Sequence, residues 1–389
     1  MGWIRWLTSC LQHMKNTNGR VLILYASAGQ GHVSSARSIK EAFLRHYPNV
    51  VVEDVDIIDY ANKVFQKFFI SGYEQLADKA PAVWGFLYHT AQSKSRQQFF
   101  QLVSQLALES RLLSMIQEFK PDMIVATHFL PAKIISFSKQ QDLISIPSTV
   151  VVTDYGCHNF WVDEDVNYYC VATDTVSACL RRWAVPAKKI IVTGIPIHQK
   201  FSQKINRLAL FKKFGLDQKR KTLLIVGGQF TISALKKIIQ GIQQRHADSV
   251  QFLVVAGRDQ KLQQALKGET FTQADQVKVF GFVDNMEELM TVSDLLFSKA
   301  GGLTVSEALA KGLPMVINKV IPGQEEDNVN YLVSCGAAIK TSSFDGIVEQ
   351  VNALLAKPQQ LEKMKQAAQS VGKPQAAKVL ADFVVKKIS

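Results

Sequence analysis

The residues best suited to chemistry in the first half of the sequence form the segment SAGQGH at 27–32. It lies between an apolar run at 20–25, which predicts a strand, and a predicted helix at about 34–47. Glycines there let the backbone approach a ligand, and the helix N-terminus favours negative charge. His32 can act as a general base because the ordinary pKa of histidine lies close to working pH. Capping the helix or packing is the alternative role of His32. The segment does not match the dinucleotide-binding fingerprint GxGxxG, because Ser34 replaces the third glycine.

Three polar clusters in the second half of the sequence follow successive apolar runs. They are FGFV at 280–283, SKAGGLTVSE at 298–307 and PGQEEDN at 322–328. In the middle cluster, Gly301, Gly302 and the Thr304 hydroxyl can present hydrogen-bond donors to a diphosphate at a strand-to-helix turn. The Glu307 carboxylate can accept hydrogen bonds from ribose hydroxyls. The mixed donors and acceptors that a sugar needs come from Gln324, Glu325 and Asn328.

The length and charge of the chain limit its organisation and its partners. Its 389 residues exceed what one hydrophobic core normally supports, so two domains are expected. A formal net charge of +12 predicts attraction to a membrane, a nucleic acid or a phosphorylated ligand without choosing among them. The five cysteines, an odd number without CxxC spacing, argue against a disulfide framework or a zinc cluster and predict reduced cytosolic thiols.

Two series of apolar runs predict an α/β protein with two parallel sheets, each covered on both faces. The first series occupies 20–25, 50–55, 123–126, 148–152 and 190–192, and the second occupies 222–226, 252–255, 277–280, 295–297 and 315–317. The lysine-rich stretch at 198–221 is interpreted as the interdomain connection. The expected divisions are an extension at 1–18, a first Rossmann-like domain at 19–198 and a second at 199–371, with a helix at about 372–389 that can pack back on the first.

Two segments have the composition of a surface that contacts lipid. In the amphipathic extension, Trp3 and Trp6 recur at helical spacing beside Arg5. Residues 65–100 are rich in aromatic side chains mixed with lysines, for which helical core packing is the alternative interpretation. No apolar run reaches the roughly 18 residues that span a bilayer. A docked or frayed tail is the alternative interpretation of the extension, and any lipid contact is expected at a membrane surface.

Longer motifs carry a resemblance to a known family over about residues 20–370. They are SAGQGH at 27–32, VVTDYGCHNFWV at 151–162, VTGIPI at 192–197, KAGGLTVSEALAKGLPMV at 299–316 and PGQEEDNVNYLVSCGAA at 322–338. With these motifs the chain resembles glycosyltransferase family 28, and within it the diacylglycerol glycosyltransferases and monogalactosyldiacylglycerol synthases. The resemblance implies a GT-B fold, with two Rossmann-like domains facing across a cleft. It also implies inversion at the anomeric carbon, a UDP-sugar donor and no essential metal or other cofactor.

The resemblance implies roles for individual residues as well. It makes His32 the base for the acceptor hydroxyl and places Asp154 and His158 on the acceptor side. Ala300 departs from the proline that many relatives carry before the paired glycines, which loosens the turn slightly. The DVD sequence at 54–56 matches the metal-binding DxD of transferases of another fold but ends a predicted strand, so a structural role is expected. The implied donor-binding set comprises Gly31, Phe280 and Val283 near uracil, Gly301, Gly302 and Thr304 at the diphosphate, Glu307 at the ribose, and Gln324, Glu325 and Asn328 at the sugar.

These observations predict a hexosyltransferase that moves glucose or galactose from a UDP-sugar to diacylglycerol or a glycolipid. Its expected location is cytoplasmic and peripheral, on the inner face of the cell membrane, where it meets an anionic lipid surface. Transfer of N-acetylglucosamine to another lipid-linked acceptor and a non-catalytic nucleotide-sugar-binding protein are the alternatives. Nucleic-acid binding explains the charge but not the glycine turns, so no nucleic-acid partner is expected.

Overall fold

The computed structural model of the chain describes residues 18–27, 29–60, 111–226, 230–268, 276–318 and 325–389. These residues form two compact units, each built on one six-stranded sheet. Of the described residues, the first unit takes those up to Gln199, residues 325–327 and Gln375–Ser389, whereas the second takes 200–318 and Asn328–Pro374. All but the last residue of the predicted extension at 1–18, and the aromatic segment at 65–100, lie outside the described residues.

The strands of the first sheet all run parallel, in the order β2-β1-β3-β4-β5-β6. They are β1 Gly19–Tyr25, β2 Val50–Asp56, β3 Met123–Ala126, β4 Ser148–Val151, β5 Tyr168–Val171 and β6 Ile190–Val192. All except β5 coincide with predicted apolar runs. Because the strands are parallel, their carboxyl ends lie along one edge of the sheet, where the segments that follow β1, β3 and β4 are neighbours.

The second sheet is also parallel, in the order β12-β11-β10-β7-β8-β9. Its strands are β7 Lys221–Val226, β8 Val250–Val255, β9 Val277–Phe280, β10 Leu295–Phe297, β11 Met315–Ile317 and β12 Ala338–Lys340. Ile238, Phe252 and Val351 are fully buried in its largest hydrophobic cluster. Only β12, a three-residue strand, does not follow from the apolar runs.

Helices connect most successive strands in both units. The α-helices of the described residues are α1 Gln30–His46, α2 Phe129–Gln140, α3 Asp174–Arg182, α4 Arg207–Phe214, α5 Ile232–His246, α6 Gln260–Lys267, α7 Met286–Val292, α8 Gly302–Ala310, α9 Glu326–Ser334, α10 Phe344–Leu355, α11 Pro358–Val371 and α12 Ala376–Ile388. Short 3-10 helices occupy Ile57–Tyr60, Asn159–Trp161, Ala187–Lys189 and Gln199–Ser202, and residues 111–119 are also helical. In the part of the chain that the structure describes, no helix is both long and apolar enough to cross a membrane.

Side chains fix the beginnings of several helices, but not of α1 and α8. Thr173, Thr231 and Ser343 cap α3, α5 and α10 by accepting a hydrogen bond from a backbone N–H of the first turn. Helices α1 and α8 instead follow Gly29 and Gly301, which provide no side-chain cap. Neither helix has an acidic residue in its first turn. Their N-terminal amides therefore carry uncompensated partial positive charge.

Helix α12 completes the core of the first unit although it follows the second unit in sequence. Leu380 and Val384 are fully buried in one cluster with Ile23 of β1. The Tyr47 hydroxyl, just beyond α1, donates a hydrogen bond to the Asp382 carboxylate at 2.6 Å. Burying an apolar side chain of this size stabilises the folded state by about 1.5–3 kcal/mol relative to leaving it exposed. The first unit therefore depends on residues from two distant parts of the chain.

Part of the lysine-rich stretch at 198–221 is a helix of the second unit. The Asn206 side chain caps α4 by accepting hydrogen bonds from two backbone N–H groups of its first turn. Arg207 then pairs with the buried Asp294, at 3.2 Å between Nη2 and Oδ1. The interpretation of the whole stretch as an interdomain connection is therefore wrong for Arg207–Phe214, because a capped helix and a buried ion pair hold this segment in the unit.

The two aspartates of the DVD sequence at 54–56 have partners within the first unit. Asp54 pairs with Lys40 of α1, at 2.7 Å between the carboxylate and the ammonium. Asp56 accepts hydrogen bonds from the backbone N–H groups of Ser27 and Ile58, at 3.3 and 3.0 Å. These contacts connect the end of β2 to α1 and to the glycine-rich loop, in agreement with the structural role expected from the sequence.

Two of the cysteines form a disulfide. Cys157, in the loop after β4, is bonded to Cys179 in α3. Their Cα atoms lie 6.1 Å apart, within the range that a disulfide spans. The expectation of reduced thiols is wrong for this pair. The fold packs α3 against the loop after β4, and the spacing of the cysteines in the sequence does not show that these two segments are in contact. Among the described residues, Cys170 and Cys335 remain free thiols.

Candidate functional site

The first candidate site lies at the carboxyl ends of β1, β3 and β4, which are adjacent in the first sheet. His32 stands in the first turn of α1, which follows β1, and is half-buried. Thr127 follows β3 directly and Thr153 lies just beyond β4; both are buried. Gly31 precedes His32 in the same turn, after Gly29, whose φ of 116° is one that glycine adopts without strain. Three neighbouring strands thus bring one histidine and two threonines together.

Contacts at one ring nitrogen determine which nitrogen of His32 is free to act as a base. The Nδ1 atom lies 2.8 Å from the Thr127 carbonyl oxygen and 3.1 Å from the Thr153 hydroxyl. A carbonyl oxygen can only accept, so Nδ1 carries the proton and donates it to Thr127. The Thr127 hydroxyl in turn donates to the His32 carbonyl at 3.0 Å, which fixes the backbone beneath the ring. The unprotonated Nε2 is therefore the basic atom.

Aromatic rings around His32 keep it neutral. Its ring centroid lies 4.5 Å from that of His128 and 6.4 Å from that of the buried Trp161. Burial lowers the pKa of His32 to about 4, although the hydrogen bond with the Thr127 carbonyl opposes this shift. Burial also lowers the pKa of His128 well below its usual value, and the nearby His32 and His158 add to that effect. The cluster therefore disfavours imidazolium and keeps His32 in the form that accepts a proton.

The predicted acceptor-side residues lie on the segment that follows Thr153. Asp154 is half-buried and comes directly after the threonine that contacts His32. The ring of His158 lies 5.7 Å from that of Trp161. Burial lowers the pKa of His158 to about 3, and the nearby His32 and Lys133 add to that effect. The structure therefore brings His158 into the cluster around His32. Among the described residues, no group of three His, Cys, Asp or Glu side chains is placed to hold a metal ion.

Sequence reasoning missed His128 and the two threonines that contact His32. His128 is fully buried at the start of α2, where its Nδ1 accepts a hydrogen bond from Leu130 N at 3.0 Å. The sequence signal that could have found them is their position just after apolar strands, because ligands of parallel sheets bind at the edge where the strands end. Thr127, His128 and Thr153 all have this position. Only the order of the strands shows that these residues adjoin His32.

The second candidate site is the start of α8 in the second unit. Gly301 precedes the helix with φ −65°, a value that any residue adopts. Among the described residues, leaving out its chain neighbours, a Cβ added to it would meet nothing nearer than the aliphatic chain of the exposed Lys299, at 4.0 Å. Neither backbone geometry nor packing against the described residues therefore requires glycine here. Gly302 is buried in the first turn and Thr304 is half-buried two residues later. Free amides, an accessible backbone and a hydroxyl together form a suitable cradle for a diphosphate.

Glu307, one turn further along α8, is half-buried beside charged groups. Burial raises its pKa to about 8, the charge of Lys200 opposes the rise and the charge of Glu287 adds to it. At neutral pH without ligand, the carboxyl group is therefore largely protonated. Hydrogen bonds from ribose hydroxyls favour the ionised form, so occupation by a nucleoside is expected to release a proton.

The predicted uracil-contacting residues lie in and just before the loop between β9 and α7. Phe280 is half-buried and packs edge-to-face on Phe214, with centroids 6.1 Å apart. Val283 is also half-buried, whereas Phe282 is 67% exposed, with the Arg258 guanidinium 5.2 Å from its ring centroid. Phe280 therefore takes part in packing, and Phe282 presents the open aromatic face at this edge of the sheet.

The predicted sugar-contacting residues fall in part on α9. Asn328 is buried, and its side-chain amide donates to the Ala300 carbonyl at 2.8 Å, which ties α9 to the loop before α8. Glu325 is also buried, just ahead of that helix. Gln324 lies outside the described residues. Asn328 thus supports the turn before α8, and the sugar contacts of these residues stay predictions.

Comparisons with known proteins identify the family of the chain. Residues 32–197 match the family model of monogalactosyldiacylglycerol (MGDG) synthase, and residues 222–380 match that of the glycosyltransferase family 28 C-terminal domain. The processive diacylglycerol beta-glucosyltransferase of Bacillus thuringiensis (strain Al Hakam) is 32% identical over 388 residues, which cover 95% of this chain and 94% of that protein. The chain belongs to glycosyltransferase family 28.

Solved structures show that this member of family 28 has the GT-B fold that its sequence predicts. MurG of Acinetobacter baumannii matches with a TM-score of 0.59 at 16% identity, covering 95% of this chain and 99% of MurG. HepE of Anabaena, solved with UDP-glucose, matches with a TM-score of 0.55 at 13% identity, covering 95% of this chain and 98% of HepE. At these identities the likeness shows the fold alone.

Proposed function

We propose that the protein transfers glucose from UDP-glucose to diacylglycerol, with inversion at the anomeric carbon. Family membership supports the reaction class, and the relatives are named for glucose transfer to diacylglycerol. The observation that carries the proposal is the arrangement at His32, whose Nδ1 is held at the Thr127 carbonyl while Nε2 stays unprotonated. A neutral imidazole fixed in one tautomer at the end of a strand is suited to take a proton from an acceptor hydroxyl.

The proposed step is a single displacement. The diacylglycerol hydroxyl gives its proton to His32 Nε2 as its oxygen forms a bond to the anomeric carbon of glucose. The bond from that carbon to the diphosphate oxygen breaks, and UDP leaves with the electron pair. The N-terminal amides of α8 and the Thr304 hydroxyl stabilise the charge that develops on the diphosphate. Since these groups supply the stabilisation, we propose that no metal ion is required, and excess chelator is expected to leave the rate unchanged.

We further propose that the reaction takes place at an anionic membrane surface on the cytoplasmic side. The acceptor is a lipid whose acyl chains stay in the bilayer while its hydroxyl reaches the enzyme. The formal net charge of +12 favours attachment to anionic headgroups, each basic residue near the surface contributing about 1 kcal/mol. Activity on vesicles is therefore expected to rise with the fraction of anionic lipid and to fall with salt.

The test is UDP release with UDP-glucose, UDP-galactose and UDP-N-acetylglucosamine, each with and without diacylglycerol in vesicles. We expect release that needs the lipid and is fastest with UDP-glucose. His32→Ala should lower kcat by about 10²- to 10⁴-fold, the usual contribution of a general base. His246→Ala, at the end of α5, is the matched control and should retain activity. Full activity in His32→Ala, or release that does not depend on diacylglycerol, would contradict the proposal.

A further inference from the structure

A polar cluster in the second unit surrounds Lys200, the first residue of that unit. The Lys200 ammonium lies 3.1 Å from Glu287 Oε2 and donates a hydrogen bond to the Asp284 carbonyl. The side chains of Lys200 and Glu287 are 28% and 11% exposed, so this ion pair is largely removed from water. Sugar transfer as proposed above gives this half-buried cation no role.

The two contacts of Lys200 hold the end of the loop that carries Phe282. Asp284 follows Phe282 by two residues, and its carbonyl is the one that accepts from the ammonium. Glu287 lies in the first turn of α7, where negative charge is favoured by the helix dipole. One cation therefore holds both the loop between β9 and α7 and the start of the helix that follows it.

The same cation acts on the Glu307 carboxyl group of α8. The charge of Lys200 stabilises the ionised form of Glu307, whereas the charge of Glu287 disfavours it. Without Lys200, two carboxyl groups of the cluster would repel each other in a partly buried site. A cation at this position allows both to ionise.

Neighbouring charged side chains have other partners. Lys213 of α4 pairs with Glu288 at 2.5 Å, and Glu288 also accepts from the Asn285 side chain at 2.6 Å. Lys311, which follows α8, donates to the Gln203 carbonyl at 3.1 Å; burial lowers its pKa, and the charge of Glu287 opposes that shift. Of these lysines, only Lys200 makes an ion pair with Glu287 in the described residues and also acts on Glu307.

We propose that Lys200 is a positioning residue of the nucleotide site. Its ion pair with Glu287 and its hydrogen bond to the Asp284 carbonyl hold the loop carrying Phe282, and its ammonium group serves the Glu307 carboxyl group when that group binds ribose hydroxyls. This inference rests on the proposed function for the assignment of UDP to the second unit. It extends that function to Lys200, whose ion pair is with Glu287 of α7.

The experiment measures the affinity of the full-length protein for UDP by calorimetry from about pH 7.5 to about pH 9.5. The terminal phosphate of UDP is ionised throughout this range because its second pKa is about 6. The uracil N3–H ionises toward the alkaline end of the range, so each affinity is taken relative to that of Glu307→Gln at the same pH. Since the pKa of free Glu307 is about 8, this relative affinity should rise with pH and level off above that value; the pH at which it levels off is the bend. Glu307→Gln itself should bind weakly.

Variants at Lys200 and Glu287 should move this bend, the pH at which relative UDP affinity levels off, in opposite directions. Lys200→Met removes the cation, so the bend should rise by about one pH unit and affinity at pH 7.5 should fall by up to about tenfold. Lys200→Arg keeps the charge and should restore the wild-type bend. Glu287→Gln removes the repelling carboxylate, so the bend should fall to lower pH. Lys213→Met, which breaks the neighbouring ion pair with Glu288, is the matched control and should leave the bend in place.

The outcomes separate this inference from the proposed function. A wild-type bend in Lys200→Met with native circular dichroism overturns the inference alone, as does an upward shift in Glu287→Gln. If the wild type binds no UDP, or binds it as Glu307→Gln does, the donor-site assignment fails and takes the inference with it. A loss of affinity in Lys200→Met at every pH, with the bend unmoved, would indicate a purely structural role and likewise overturn the inference.

Discussion

The protonation of His32 should determine how the rate of sugar transfer falls in acid. Burial lowers its pKa from 6.5 to about 4. At pH 5.5 about 3% of such a ring is protonated, against about 90% of a ring with the ordinary pKa of 6.5. If the neutral ring is the base, lowering the pH from 7.5 to 5.5 should leave kcat almost unchanged. A solvated histidine in the same role would lose about tenfold.

The assay is kcat for UDP release at saturating UDP-sugar and acceptor, from about pH 5 to about pH 8. Saturation with donor is necessary because Glu307, with a pKa of about 8 in the free protein, affects donor affinity over the same range. Circular dichroism at each pH separates loss of catalysis from unfolding. A midpoint of the acid limb near pH 6.5 in the folded enzyme would refute the argument that the ring is desolvated.

Three substitutions test other parts of the two sites. Thr153→Val removes the hydroxyl 3.1 Å from His32 Nδ1. The kcat should fall about fivefold, which corresponds to the loss of one hydrogen bond, and Thr153→Ser should restore it. Equal kcat values for Thr153→Val and the wild type would exclude this contact from catalysis. Gly301→Ala adds a methyl group whose nearest neighbour among the described residues, apart from those adjoining it in the chain, is Lys299 at 4.0 Å. The melting temperature should hold while UDP affinity drops about tenfold, and unchanged affinity would place the diphosphate elsewhere. Asn328→Ala removes the donor to the Ala300 carbonyl; urea denaturation should show a loss of about 1–3 kcal/mol, and a midpoint equal to that of the wild type would show that the carbonyl finds another donor.

Local signals were sufficient to predict most of the strands. Continuous apolar runs such as Val21–Leu24 predict buried parallel strands, since only a strand covered on both faces has no polar side. The two strands that were not predicted lack such a run. Strand β5 has the sequence YYCV, whose tyrosines suit exposed and buried positions equally, and β12 is too short to show a hydrophobic pattern. Sheet neighbours supply the hydrogen bonds that make both segments strands, and sequence patterns do not contain that information.

The candidate base could be predicted, but its surroundings could not. His32 is marked by a local pattern of strand, glycines and helix. Its two hydrogen-bond partners, Thr127 and Thr153, lie 95 and 121 residues further along the chain. The shift in its pKa comes from burial among rings on α2 and in the loop after β4, so it depends on tertiary packing. The Cys157–Cys179 disulfide is hidden from spacing for the same reason.

The packing of α12 has a consequence for how the protein is made. The core of the first unit includes Leu380 and Val384, which are translated after the whole of the second unit. At usual rates of synthesis, about 10 to 40 seconds separate Gln199 from this helix. During that time the first unit lacks the part of its core that α12 supplies beside α1, whereas all the strands of the second unit have been synthesised. The second unit is therefore expected to fold first on the ribosome, reversing the order in which the two units emerge.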